Sequence, residues 1–119
     1  MENERYLKLL TRAIIEIAEK TNSVQDLSTA LSNVGLTHQD MSDLKMQFIV
    51  AHEYNNKANF MFLDNREQAT LLMQSWAAAC KSEYNALKCD KLVGEDHIAL
   101  IYRVRPFKDE LHVFSIMEF

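Results

Sequence analysis

The residues able to do chemistry are few: four histidines, His38, His52, His97 and His112, and two cysteines, Cys80 and Cys89. His52-Glu53 starts as a helical zinc-protease pattern does, with an imidazole beside a general base. That pattern needs a second histidine four residues on, where a helix would present both rings on one face, and the position holds Asn56. His97 and His112 fall in segments expected to pair as a hairpin, where Cys89 would complete a three-donor zinc set; paired surface or boundary histidines are the simpler account. The nine-residue separation of the cysteines matches no common zinc or redox pair, so both read as reduced thiols. Cys80 lies on an apolar helical stripe and reads as a small core residue. On this reading no metal, no cofactor and no catalytic residue is assigned.

Nucleophilic catalysis needs a serine or cysteine beside a base and an oxyanion hole, often framed by glycine-rich turns. The two glycines, Gly35 and Gly94, stand apart, so they build neither such a frame nor a loop that cradles phosphate. Glu95-Asp96 beside His97 has acid–base chemistry, but neighbours on a strand point to opposite faces, and a solvated turn explains the pair. The reading therefore leans away from an enzyme.

The segment Ala30 to Leu36, with Gly35 at a turn and Met41 and Leu44 beyond it, resembles a DNA-binding helix-turn-helix over residues 26–45. Its second helix would offer His38, Gln39, Ser42 and Lys45 to DNA, with Gln39 suited to adenine and His38 or Lys45 to the backbone. Asp40 and Asp43 on the same helix repel phosphate, no nearby arginine offsets them, and Leu31 is bulky where the motif takes a small residue.

Residues 3–20 carry Leu7, Leu10, Ile14 and Ile17 at helical spacing, with charged residues opposite, which predicts an amphipathic helix. Ser23 caps a second, short helix burying Val24, Leu27 and Leu31, and Gly35 ends it. Thr37 with Asp40 caps a third helix, which carries Met41, Leu44 and Phe48 and is expected to run to about residue 54, although Met46, Phe48 and Val50 also fit a strand. Asn55-Asn56-Lys57 turns the chain, Ala58 to Leu63 reads as a strand, and Asp64 starts a helix over about 65–85. A strand at 87–93 is a candidate edge. Residues 97–118 alternate as an antiparallel hairpin around Pro106-Phe107-Lys108-Asp109.

With 119 residues, 48% of them hydrophobic, and a net charge of −4, the chain supports a single domain. It divides into a helical part, 1–54, and a β-α-β-β part, 58–119. Both halves are mildly acidic, six basic and eight acidic residues in 1–60 against seven and nine in 61–119, which disfavours nucleic acid. No stretch is long and apolar enough to span a membrane, and Glu2 and Glu4 stand where a secretory leader is basic, so the expected location is cytoplasmic. The fold class is α+β: two or three N-terminal helices, a strand, a long helix and a C-terminal hairpin, the sheet a single layer packed on helices.

The hairpin is apolar on both faces, more than one helical layer covers. That surplus points to a small non-enzymatic protein-binding module, a regulator or inhibitor, contacting a protein partner or a second copy through Tyr102, Phe114, Ile116 and Phe119. A transcription regulator using residues 26–45 is the alternative, and a small enzyme with an unrecognised site the next.

Overall fold

The computed structural model describes residues 2–83, 89–105 and 108–119. The expected hairpin tip at Pro106-Phe107 and the start of the candidate edge strand, Leu87, lie outside the described residues. Three helices come first: α1 (Glu2–Glu19), α2 (Val24–Asn33) and α3 (His38–Asp43). A hairpin of β1 (Phe48–Tyr54) and β2 (Lys57–Leu63) follows, then α4 (Arg66–Glu83), β3 (Cys89–Val93), β4 (His97–Arg105) and β5 (Lys108–Glu118). Five strands form one antiparallel sheet in the order β2-β1-β5-β4-β3. The chain is α+β.

Local chemistry sets the first three helices. Ser23 accepts a hydrogen bond from the Asp26 amide at 3.1 Å to start α2, and the Glu53 carboxylate accepts from the Val24 amide at 3.2 Å, placing negative charge at the positive end of the helix. Val34 is the C-cap of α2, and Gly35 follows at φ 83°, a left-handed conformation suited to glycine. Thr37 and Asp40 form a complete capping box for α3.

The third helix is shorter than expected. It ends at Asp43, Lys45 turns the chain at φ 58°, and residues 48–54 form β1, so the helical part stops short of residue 54. Ile49, Val50 and Ala51 are all fully buried, because β1 has a helical layer on each face. Asn55 and Asn56, at φ 53° and 61°, form the two-residue loop that joins β1 to β2, the left-handed pair that a tight hairpin requires. The start of α4 also falls slightly later: Asn65, not Asp64, caps it, its side-chain oxygen accepting from the Gln68 amide at 2.8 Å.

The two faces of the sheet are covered unequally. On one face α4 lies across β1, β5 and β4, and Val50, Met73, Ala77, Leu100, Tyr102 and Phe114 form the larger core. The other face carries α1, α2 and α3, packed through Ile14, Leu27, Leu31 and Met41 onto Ile49, with Phe60, Phe62, Met117 and Phe119 around them. Among the described residues, no helix is long and apolar enough to cross a membrane. The radius of gyration, 16.0 Å, exceeds the roughly 13–14 Å of a compact chain this long, and the molecule measures 57 × 26 × 20 Å.

Candidate functional site

Residues at alternate positions of β1 and β5 face α4, which sends His52 and His112 to the same side as Val50 and Phe114. Cys80 completes one stripe of α4 with Ala69, Met73 and Ala77. Three distant parts of the sequence thus converge, and the two imidazoles and the thiol bring one nitrogen each and the sulfur within 4.8 Å of one another. Nε2 of His52 lies 2.9 Å from Nδ1 of His112, a hydrogen bond whose donor depends on the tautomers.

The rings are stacked around this contact. His52 packs on Phe114 at 4.2 Å and Tyr54 on His112 at 4.7 Å, while Tyr102 meets His112 edge-on at 5.7 Å. Cys80 and His112 are buried and His52 is half-buried. Above them opens a cleft of about 400 Å³, which Tyr54, Asn59, Trp76, Ala79 and Glu83 line together with the three donors.

Burial governs the protonation of the cluster. Loss of solvent, assisted by repulsion from His112, lowers the His52 pKa to about 4, so this ring is neutral at neutral pH. Burial raises the Cys80 pKa, opposed by a hydrogen bond with Tyr102, and burial likewise raises that of the Tyr102 phenol. A thiol held protonated is a weak nucleophile and becomes a metal ligand only on losing its proton. His112 also has Glu110 on its far side, with Nε2 3.6 Å from the carboxylate.

The expected histidine–cysteine grouping is different from the one that forms. His97 pairs with Ser115 and His112 with Leu100, so the two lie on opposite faces of the sheet and do not share a site with Cys89. His52, set aside for want of a helical partner, joins the cluster because its segment is a strand. Sequence spacing alone carries no sign of it, since the three donors are brought together only by sheet pairing.

The residues expected to contact a protein partner are largely covered by their own chain. Tyr102 and Phe114 are fully buried and Ile116 nearly so, all under α4, while Phe119 packs half-buried against the N-terminal helices. Alternation puts the other residues of the same strands outside. Leu92, Ala99 and Val113 form one cross-strand row and Ile101 and Leu111 the next, on the half of the helix-bearing face that α1, α2 and α3 leave uncovered. Leu92 is 60% exposed and Leu111 52%.

Two of the four residues proposed for DNA, His38 and Gln39, are engaged within the fold. His38 donates through Nδ1 to the Phe119 carbonyl, and Gln39 donates to Asp43 at 2.8 Å. Ser42 lies within a helix of six residues, and Lys45 lies beyond its end in the left-handed turn. No protein-family model matches the chain, and neither does any curated protein or any solved structure.

Proposed function

We propose that the protein is a non-enzymatic protein-binding module whose contact surface is the uncovered half of the sheet, and whose partner element is an amphipathic helix. The observation that carries this reading is the pair of apolar rows from Leu92 to Val113 and from Ile101 to Leu111, left open on a sheet otherwise covered by helices. Two of these strands, β4 and β5, already hold a helix, α4, on their opposite face, so the open rows have the shape such a helix fits.

A second copy of the chain carries a suitable helix. The apolar stripe of α1 continues past the part that its own core covers, leaving Leu7 37% and Tyr6 64% exposed, with Arg5, Lys8 and Arg12 nearby. Asp90 edges the open sheet and supplies opposite charge, while Asp109 beside it is paired with Arg103 at 3.6 Å. A two-fold pair of chains would make the contact twice.

Light scattering across a concentration series tests the reading. Wild-type protein should form a dimer that Leu111→Glu returns to monomer without loss of helical circular dichroism. A wild-type chain that stays monomeric throughout, or a Leu111→Glu variant that associates equally well, overturns it.

A further inference from the structure

We propose that His52, Cys80 and His112 form a binding site for a borderline transition-metal cation of the zinc type, with one coordination position open to the cleft beneath α4. This inference is independent of the protein-binding surface, which lies on the opposite face of the sheet.

The donor set comes first. Two imidazoles and a thiolate suit zinc and its neighbours and are poor ligands for magnesium or calcium, which take oxygen. In a tetrahedral zinc site the metal lies about 2.0–2.1 Å from nitrogen and about 2.3 Å from sulfur, which sets the donors roughly 3.3–3.6 Å apart. Here the two nitrogens stand at 2.9 Å and the three donors within 4.8 Å, a spacing that brackets the requirement and needs only side-chain shifts. The direct His52–His112 hydrogen bond would give way to two metal bonds.

Two further features fit a site rather than a chance cluster. Glu110 lies behind His112, facing Nε2 while Nδ1 faces the other donors. A carboxylate on the far nitrogen favours the tautomer with its proton there and leaves the lone pair of Nδ1 turned inward, as metal-binding histidines require. The cleft of about 400 Å³ supplies an entry path and space for a fourth ligand, water or an exogenous donor. Binding replaces the Cys80 S–H proton by the metal and releases that proton to solvent; the His52 proton, which lies on Nε2 while that atom donates to His112, is exchanged through solvent to Nδ1, freeing Nε2 for the metal.

Zinc titrated into the full-length protein against a chromophoric chelator, with cobalt(II) as the spectroscopic probe, tests the proposal. One equivalent should bind, and the cobalt form should show thiolate charge-transfer absorption with intense tetrahedral bands. Cys89→Ser should preserve both results. His52→Asn, at a half-buried position, should weaken zinc by more than tenfold, since even the loss of an outer partner costs about 10–100-fold. Glu110→Gln should weaken it within that same range. Binding unchanged in His52→Asn, a cobalt spectrum without the thiolate band, or loss of the site in Cys89→Ser would each overturn the assignment. Cys80→Ser that retains native circular dichroism must lose the charge-transfer band; if it keeps the band, Cys80 is not a ligand.

Discussion

His52 is worse at holding a proton in the folded chain than in the unfolded one, and that difference ties stability to pH. Its pKa falls from about 6.5 to about 4 on folding, through burial and the nearby His112. Between those values the unfolded state binds more protons, so the contribution of this ring is complete above about pH 6.5 and is lost as pH falls towards 4. Urea midpoints measured across that window should decline on acidification, and His52→Asn should flatten the decline. Gly35 gives a second expectation at the same scale. Its φ of 83° is costly for a side chain, so Gly35→Ala should lower stability by about 1 kcal/mol in urea melts although nothing crowds the added methyl. The glycine was legible as a helix terminator from its place between two apolar runs. The role of His52 was not, because it depends on a strand pairing with Phe114 and a contact with His112, the latter 60 residues away along the chain.

Elements were legible where local chemistry decides them. Ser23 and the Thr37-Asp40 capping box mark helix starts that the structure reproduces, and period-two alternation locates β4 and β5. The residues from Phe48 to Tyr54 were ambiguous for a physical reason: a strand covered on both faces is apolar throughout its buried part, so it loses the alternation that identifies a half-covered one. Asn55-Asn56 held the missing signal, since two adjacent residues that tolerate the left-handed conformation suit a two-residue hairpin loop. The N-terminal layer depends on Leu27, fully buried between α1, α3 and the sheet. Leu27→Ala should cost about 2–5 kcal/mol, read from the shift of the urea midpoint at unchanged m-value.

At the scale of the molecule, the excess length and the uncovered sheet belong together. The end of α1 reaches beyond its own core, and, among the described residues, no helix covers the apolar rows of β3, β4 and β5. Leu7→Lys should therefore remove self-association seen by light scattering while leaving the thermal midpoint at low protein concentration within about 1–2 °C of wild type, since Leu7 contributes little to the monomer core. The sequence showed that the hairpin had more apolar surface than one layer could hide, but not which face α4 would take. That choice follows from which residues share a side with Val50 once β1 and β5 pair.

The place of β5 has a consequence for how the chain is made. It lies between β1 and β4, pairing Phe48 with Glu118 and His97 with Ser115, yet it is the last of the five strands to leave the ribosome. Until it emerges, the β1–β2 hairpin and the β3–β4 pair have no strand between them, and neither two-stranded ribbon is stable alone. Assembly of the sheet is thus deferred until β5 emerges, and its closing contacts are distant in sequence, which predicts slow folding for so small a domain and a nascent chain that depends on protection of its unpaired strands.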